Sequence, residues 1–378
     1  MAGRTQEALY SEIALELSWS EAELPQVART KHVHALHPYL GKFIPQLVDV
    51  FLRRHFQPGD CVYDPFAGSG TTLVEANAYG VHSIGCDISV FNCLLARVKT
   101  NSYPLGSLEL ALRSTLEQAR QTAEIVDVKD ASKWLRKWYA PPALRELLAY
   151  ECVASESLED PMWDVARVTL SRAARSARRT THFDLDFPRA PVKGPYWCYK
   201  HRRTCAPVQE AAKFLRRYTA DTVRRIRDFA AVRTTADVTA IHADARFAEL
   251  PCEIDGIITS PPYPGLIDYH EQHRYAYELL RLPDLRTEEI GAAEFGVSRR
   301  ALDAYIDGIA AAFRNAHRFM TAQAPVVIVV NDSRNLYPTI LERAGLSLEE
   351  RLTRHVNRRT GRRAGEFFED VLVCRSNS

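Results

Sequence analysis

Residues 61–87 read CVYDPFAGSGTTLVEANAYGVHSIGCD, and they contain the clearest structural signals in the chain. A short buried strand is predicted at Cys61-Val62-Tyr63 and a helix over Thr71–Tyr79, with a polar loop between them. A second strand is predicted over residues 83–86, and Asp87 follows it directly. A strand, a glycine-rich turn, a helix, a strand and an acidic residue form the opening unit of a nucleotide-binding α/β sheet.

The loop of this unit, Asp64-Pro65-Phe66-Ala67-Gly68-Ser69-Gly70-Thr71-Thr72, is typical of a ligand-binding turn. Its glycines let the backbone turn tightly and approach a ligand, and Asp87 can accept hydrogen bonds from ribose hydroxyls. The loop has neither the GxGxxG pattern of dinucleotide sites nor the lysine of a triphosphate-binding loop. A nucleoside without phosphates therefore fits, and S-adenosylmethionine is the obvious candidate. A plain strand-to-helix turn is the alternative.

A second motif, Thr259-Ser260-Pro261-Pro262-Tyr263, follows a strand that is predicted over residues 255–258. Consecutive prolines have no backbone N–H, so nearby carbonyl groups can face a cleft as unpaired acceptors. We expect Ser260 and the carbonyl of Pro261 to hold an exocyclic NH₂ group, while Tyr263 stacks on the ring that carries it. A simple proline-rich exit from the strand is the alternative.

Together the two motifs resemble the signatures of the exocyclic-amino DNA methyltransferases, which methylate cytosine N4 or adenine N6 with S-adenosylmethionine. His37-Pro38-Tyr39-Leu40-Gly41-Lys42-Phe43-Ile44-Pro45 resembles the family segment that lies against the methionine end of the cofactor. Ser-Pro-Pro-Tyr, in place of Asp- or Asn-Pro-Pro-Tyr, is typical of the cytosine-N4 branch. The resemblance covers residues 33–98 and 238–373.

The resemblance implies an α/β fold, a Rossmann-like methyltransferase sheet with helices on both faces. By position, Asp87 corresponds to the acidic residue that binds ribose. His242-Ala243-Asp244-Ala245 resembles the segment near the cofactor adenine, with Asp244 as a candidate acceptor for the adenine amine. The predicted cofactor-binding set is Lys42, Phe43, Asp64, Pro65, Phe66, Ala67, Gly68, Ser69, Gly70, Thr71, Thr72, Asp87, Ile88, Asp244 and Ala245. The predicted catalytic set is Ser260, Pro261, Pro262 and Tyr263.

A mostly helical insertion is predicted to split this domain. Residues 1–100 would form its N-terminal part and residues 236–378 its C-terminal part, with the insertion over 101–235. Residues 167–233 include seventeen lysines and arginines but only five acidic residues, although the whole chain has a net charge of only +2. Such a local excess favours a polyanionic partner, here double-stranded DNA, over a solvated helical face.

The insertion is therefore our candidate for the region that recognises the target sequence, a role that a variable segment has in the family. The predicted DNA contacts are Arg178, Arg179, Lys200, Arg202 and Arg203, together with Arg358 and Arg359 of a basic loop before the last predicted strand. Cys198, His201 and Cys205 also lie close together, but a structural zinc site takes four ligands. A basic and aromatic DNA-contact loop is thus favoured, and no metal is expected.

The composition argues against a secreted, collagen-like, membrane-spanning or disordered protein. The 378 residues are 46% hydrophobic and 25% charged, as in ordinary globular domains. The eight cysteines have no repeated CxxC spacing, which predicts reduced thiols in an intracellular protein. The resemblance to DNA methyltransferases implies a cytoplasmic protein associated with the nucleoid. The longest apolar run, APVVIVV from Ala324, is far too short to cross a bilayer.

Pro251-Cys252 precedes the strand predicted over residues 255–258, which argues against the thiolate chemistry of carbon-5 cytosine methylation.

The sequence thus predicts a site-specific DNA methyltransferase that transfers a methyl group from S-adenosylmethionine to the N4 amine of a flipped cytosine. Adenine N6 is the nearest alternative, because the same acceptor loop can hold either amine. An RNA amino-methyltransferase and a non-catalytic nucleic-acid-binding relative are further alternatives. A cognate restriction endonuclease of the same system is a second candidate partner, which the sequence alone does not decide.

Overall fold

The computed structural model describes residues 17–20, 22–39, 41, 43–182, 184–185, 188–265, 268–356 and 367–376. Lys42, Arg358 and Arg359 lie outside the described residues, so their predicted roles stay predictions. The chain forms two compact units. The first consists of Met1–Thr100, Asp228–Asp268 and Leu285–Ser378, and the second of Asn101–Arg227 and Tyr269–Asp284.

The strands, in chain order, are β1 (Cys61–Asp64), β2 (His82–Asp87), β3 (Tyr196–Cys198), β4 (Arg203–Cys205), β5 (Val238–His242), β6 (Gly256–Thr259), β7 (Pro325–Val330), β8 (Leu346–His355) and β9 (Phe368–Ser376). The helices are α1 (Gln26–Arg29), α2 (Pro45–His55), α3 (Thr71–Tyr79), α4 (Val90–Thr100), α5 (Leu105–Thr122), α6 (Lys133–Trp138), α7 (Pro141–Ser157), α8 (Met162–Ala177), α9 (Ala212–Ala230), α10 (Tyr269–Gln272), α11 (Arg274–Leu280), α12 (Arg299–His317) and α13 (Tyr337–Ala344). Short 3₁₀ turns occur at His32–Ala35, Arg286–Glu288 and Ala293–Phe295.

A seven-stranded sheet in the order β5-β2-β1-β6-β7-β9-β8 forms the centre of the first unit. Strands β5, β2, β1, β6 and β7 are parallel, and β9 runs antiparallel to both of its neighbours. From β1, the chain proceeds to β2 and β5 on one side and later to β6 and β7 on the other. In such sheets, ligands bind at this switch in strand order, beyond the carboxyl ends of the strands.

Alternate residues of the central strands pack against opposite layers of helices. Tyr63 and Ile328 belong to one apolar cluster together with Phe313 of α12. Val62 and Val329 belong to another, together with Phe51 of α2. Burial of both faces is typical of parallel sheets in α/β proteins and explains the continuous apolar run of β7. The predicted Rossmann-like sheet is confirmed.

The edge strand β8 was not predicted. Its sequence, LSLEERLTRH, exposes charged side chains along most of its length, and such residues are common on edge strands, where they discourage pairing with another chain. The apolar alternation that a sequence search looks for is therefore weak here. The last predicted strand is β9, which runs over Phe368–Ser376.

The second unit is mostly helical, as expected, and includes the antiparallel hairpin β3–β4. Ser132 caps the N-terminus of helix α6, because its hydroxyl accepts a hydrogen bond of 3.2 Å from the backbone N–H of Leu135. The Tyr139 hydroxyl is buried and donates to the carbonyl of Ala174 at 3.1 Å, which ties the end of α6 to α8. Across the described part of the chain, no helix is both long and apolar enough to span a membrane.

Candidate functional site

Four predicted site residues of the first unit lie at the carboxyl ends of four neighbouring parallel strands. Asp64 ends β1, Asp87 ends β2, Asp244 follows β5, and Ser260 follows β6. The pairing of β5, β2, β1 and β6 brings these ends to one edge of the sheet. The two sequence motifs therefore meet at the switch in strand order, where the α/β architecture places ligands.

The glycine-rich loop between β1 and α3 depends on two glycines with left-handed backbone conformations, Gly68 (φ +49°) and Gly70 (φ +77°). A Cβ atom on Gly68 would lie 2.9 Å from the hydroxyl oxygen of Tyr39, and one on Gly70 would lie 3.0 Å from Cβ of Ala96. The loop thus packs closely against α4 and lies under the Tyr39 ring. Sequence reasoning placed Tyr39 in the segment expected against the methionine end of the cofactor and missed its contact with the glycine-rich loop.

The Asp87 carboxylate binds the glycine-rich loop to the end of β2. Its Oδ2 accepts from the backbone N–H of Gly68 at 2.8 Å, and its Oδ1 accepts from the backbone N–H of Ser89 at 2.8 Å and the Asn92 amide at 3.1 Å. A carboxylate offers about four acceptor positions, so capacity remains for a ligand hydroxyl. Asp87 is only partly buried, yet burial raises its pKa to about 6. Residues 64–72 include no lysine or arginine that could bind a phosphate, and the loop beside this carboxylate fits the nucleoside end of S-adenosylmethionine.

Asp64 joins the two motifs through its side chain. It is fully buried and accepts hydrogen bonds from the hydroxyls of Thr72 at 2.7 Å and Thr259 at 2.6 Å, and from the backbone N–H of Phe66 at 3.1 Å. Burial raises the pKa of Asp64 to about 6. These contacts place Asp64 as a brace that fixes the glycine-rich loop relative to the Ser-Pro-Pro-Tyr loop. Direct cofactor contact by Asp64 stays a prediction.

Asp244 has a partner that sequence reasoning missed. Arg246 donates to both of its carboxylate oxygens, from Nε at 3.0 Å and 2.9 Å and from Nη2 at 2.5 Å. If Asp244 accepts a hydrogen bond from the adenine amine of the cofactor, it must do so while it is paired with Arg246. A cavity of about 660 Å³ opens beside Arg246, and its lining includes Glu289, Ile290 and Tyr305. That volume is within the range of small-molecule sites.

The Ser-Pro-Pro-Tyr loop is held by β7 and β9. The Ser260 hydroxyl donates to the carbonyl of Val329 at 3.0 Å. The lone pairs of its oxygen therefore stay available to accept hydrogen bonds. The Tyr263 hydroxyl lies 3.4 Å from Glu369 Oε1, and Glu369 accepts from Arg354 Nε at 3.1 Å. Arg354 is buried, so the contacts from Arg354 to Glu369 and from Glu369 to Tyr263 orient the Tyr263 ring.

Several predicted cofactor residues make contacts with other residues of the first unit. Phe43 is buried in the cluster around α2, and the Phe66 ring lies edge-on to Phe313 with centroids 6.4 Å apart. The carbonyl of Ile88 lies 2.9 Å from Nε2 of His242, and that of Ala245 accepts from Asn315 at 3.2 Å. These residues shape the site, and their direct contact with a cofactor stays a prediction.

The predicted DNA-contact residues of the second unit differ in exposure. Lys200, Arg202 and Arg203 are exposed on the hairpin β3–β4, whereas Arg179 is half-buried. Arg178 is 3% exposed, donates to the carbonyl of Leu185 at 2.5 Å and lies over the Tyr275 ring at 4.7 Å. Its surroundings favour a structural role at the end of α8 over a phosphate contact.

Some of the arginines in the insertion form ion pairs within the second unit. Asp221 accepts hydrogen bonds from three arginines, Arg172, Arg224 and Arg225. These arginines hold the pKa of Asp221 well below its usual range, although burial opposes the shift. Arg172 is 5% exposed and is therefore structural. The count of basic residues thus overstates the positive charge available to a polyanion.

Sequence reasoning also missed a fourth polar ligand beside the hairpin. His182 lies next to Cys198, His201 and Cys205, and the ligand atoms of all four lie within 4.8 Å of one another. His182 is sixteen residues before Cys198, outside the short window that suggested a three-ligand cluster. A search for histidines over a wider window would have included it.

Comparison with known proteins places these features in a family. A family model described as DNA methylase matches residues 11–97. The type II methyltransferase M.MjaII of Methanocaldococcus jannaschii is 38% identical over 443 aligned residues, which cover 95% of this chain and 84% of that protein. The type II methyltransferase M.MvaI of Kocuria varians is 26% identical over 247 residues, 61% of this chain and 53% of that protein.

Similar solved structures include TrmN from Thermus thermophilus, with 15% identity and a TM-score of 0.34 over 89% of this chain and 50% of that one. The rRNA methyltransferase aviRa from Streptomyces viridochromogenes has 13% identity and a TM-score of 0.32, over 90% of this chain and 89% of that one.

Proposed function

Since this chain belongs to the family of DNA methyltransferases that modify exocyclic amines, we propose that it methylates the N4 amine of cytosine in duplex DNA. The methyl donor of the family is S-adenosylmethionine, which supplies an electrophilic methyl group. A base inside a duplex cannot bring its amine to this edge of the sheet, so the target cytosine must be flipped out of the helix.

The geometry of Ser260 carries the proposal. Because its hydroxyl proton is committed to the carbonyl of Val329, its oxygen is left as an acceptor. The amine of cytosine is a donor whose lone pair is delocalised into the ring. Acceptance of its N–H bonds by Ser260 and the Pro261 carbonyl would turn that lone pair toward the methyl group.

Catalysis then depends on position. The amine nitrogen bonds to the methyl carbon as the carbon–sulfur bond breaks, and the surplus amine proton leaves to solvent. The protein contributes by holding the two partners in line, which can supply much of the rate enhancement. Asp64 sets their separation, since it binds Thr72 of the cofactor loop and Thr259 of the acceptor loop.

Substituted DNA tests the choice of target base. Duplex prepared with N4-methylcytosine in place of cytosine should accept no methyl group, whereas duplex prepared with N6-methyladenine in place of adenine should still accept it. The measurement is transfer of labelled methyl from S-adenosylmethionine. Loss of transfer with N6-methyladenine alone would assign the enzyme to adenine instead.

Cofactor affinity should depend on pH. Burial raises the pKa of Asp87 to about 6, so this carboxylate is charged at pH 7 and takes up a proton as the pH falls through 6. The charged form is the better acceptor for ribose hydroxyls, so the Kd for S-adenosylmethionine should rise below pH 6, by at most about tenfold per pH unit. Isothermal titration between pH 5 and pH 8 measures this dependence. The Asp87→Asn variant should bind weakly with a flat profile, and a flat wild-type profile would contradict this role.

The exposed hairpin should contribute to DNA affinity. If Lys200, Arg202 and Arg203 contact phosphates, their simultaneous replacement by alanine should reduce the slope of log K against log salt concentration by roughly 3. Fluorescence anisotropy with duplex DNA gives this slope. Replacement of Arg113 and Arg120 on α5, which pair with Glu109 and Glu117, is the control and should leave it nearly unchanged. Equal slopes for both variants would remove the hairpin from the DNA interface.

A restriction endonuclease that cleaves the same unmodified site is the partner that this function implies. The two curated relatives are type II methyltransferases, which supports that setting. DNA that this enzyme has methylated would resist such an endonuclease.

A further inference from the structure

Four metal-binding side chains meet at the hairpin β3–β4 of the second unit. Cys198 and Cys205 are the last residues of the two strands, His201 lies in the turn between them, and His182 comes from the segment after α8. Their ligand atoms lie within 4.8 Å of one another. Two cysteines and two histidines form one of the common ligand sets of structural zinc.

The spacing of the ligand atoms matches a tetrahedral centre. Cys198 Sγ lies 3.5 Å from Nδ1 of His182 and 3.6 Å from Nδ1 of His201, and Cys205 Sγ also lies 3.6 Å from Nδ1 of His201. With Zn–S of about 2.3 Å and Zn–N of about 2.0–2.1 Å, tetrahedral angles put sulfur and nitrogen about 3.6 Å apart. The imidazole rings of His182 and His201 approach edge to face, with centroids 4.6 Å apart.

The hairpin has little apolar contact to hold it. Its strands have only three residues each, and a lone two-stranded hairpin is marginally stable in water. Cys198 and Cys205 are buried, with exposures of 2% and 9%, whereas Trp197 and Tyr199 are 56% and 80% exposed. The buried side of the hairpin thus consists largely of the two thiols, which a bound metal would join to both histidines.

We propose that these four residues bind one structural Zn²⁺ ion, through Nδ1 of His182 and His201 and the thiolates of Cys198 and Cys205. The two thiol protons leave to solvent when the metal binds. Four protein ligands complete the coordination, so no position is open for substrate and the site is structural. Tyr196 Oη lies 2.9 Å from Nδ1 of His182, and metal binding replaces this contact.

The metal fixes the hairpin that presents Lys200, Arg202 and Arg203 to solvent. Arg202 has a left-handed backbone conformation (φ +50°), which the ligation of His201 next to it would help to hold. A consequence for DNA affinity rests on the proposed function, but the metal site itself does not.

Metal content of the full-length protein tests the proposal without DNA or S-adenosylmethionine. Protein prepared without a polyhistidine tag or chelator should contain about one zinc per chain by plasma mass spectrometry. Cys198→Ser and Cys205→Ser should lower this content to near zero. Cys152→Ser, at a thiol of the same unit outside the cluster, and Tyr196→Phe, which removes the competing hydroxyl, should both keep it.

Cobalt provides a second readout that does not depend on the stability of these variants. The wild-type protein stripped of zinc and loaded with Co²⁺ should show the visible bands of four-coordinate cobalt and a thiolate charge-transfer band. His182→Cys should keep one metal per chain and strengthen the charge-transfer band. Wild-type protein that contains no zinc and shows no such cobalt spectrum would overturn the proposal, as would equal zinc in the Cys198→Ser and Cys152→Ser variants.

Discussion

Replacement of Ser260 by alanine should lower kcat for methyl transfer by about 100-fold or more, in line with the loss of one oriented polar group at a reacting centre. The variant loses the acceptor that turns the amine toward the methyl group. It keeps Asp87 and the glycine-rich loop, so the Kd for S-adenosylmethionine should stay within about twofold of the wild type. Single-turnover transfer at saturating DNA and cofactor measures the rate.

Ser347→Ala is the matched control. Ser347 belongs to the same unit and is exposed on β8, and its hydroxyl lies 3.4 Å from the carbonyl of Arg375. Its variant should transfer methyl groups at the wild-type rate. A Ser260→Ala enzyme that is folded, binds cofactor and keeps its full rate would show that Ser260 does not hold the amine.

Replacement of Asp87 by alanine should weaken S-adenosylmethionine binding by about 10- to 100-fold, since hydrogen bonds to charged groups contribute about 1.5–3 kcal/mol each. The change removes the ribose acceptor, and it also removes the anchor of the Gly68 backbone N–H. The effect should appear mainly in cofactor Kd, with much of kcat recovered at saturating cofactor. Isothermal titration and initial rates separate the two quantities.

The control for this variant is Asp237→Ala. The Asp237 side chain is 90% exposed and precedes β5 in the same unit, where its carboxylate lies 3.4 Å from Nδ1 of His82. Its loss should leave cofactor affinity unchanged. A Kd for Asp87→Ala within twofold of the wild type would exclude Asp87 as the ribose acceptor.

The architecture of the first unit could be predicted because its signals are local. Helix α2, Pro45–His55, has proline at its first position, where the backbone angle of proline is the one that a helix needs. Helix α3 lies between Gly70 and Gly80, both of which are left-handed, as expected at a helix boundary after a tight turn. Apolar runs such as that of β7 directly indicate burial on both faces.

The contacts that complete the candidate site could not be predicted, because they join residues far apart in the chain. Thr259 donates to Asp64 across 195 positions, and Tyr263 approaches Glu369 across 106. A pattern within a short stretch of sequence does not indicate contacts between residues so far apart. Sequence reasoning therefore missed that Asp64 braces two loops, and its predicted contact with the cofactor stays a prediction.

Charge counting overstated the exposed positive charge for a related reason. All seventeen basic residues were counted toward a polyanion, but Arg172 and Arg178 are buried and hydrogen-bonded within the second unit. Long basic side chains bury their stems and pair locally when a carboxylate or carbonyl is near. Only the fold separates these residues from the exposed group on the hairpin.

Nucleoside mass spectrometry of DNA from a host that lacks N4-methylcytosine tests the central claim most directly. After expression of the wild-type protein, the host DNA should contain N4-methylcytosine, and sequencing should place it at one short recurrent site. Expression of Ser260→Ala should leave this nucleoside near background. N6-methyladenine in place of N4-methylcytosine would contradict the assignment of the target base, and the absence of both from the DNA, with active cofactor binding, would contradict the account as a whole.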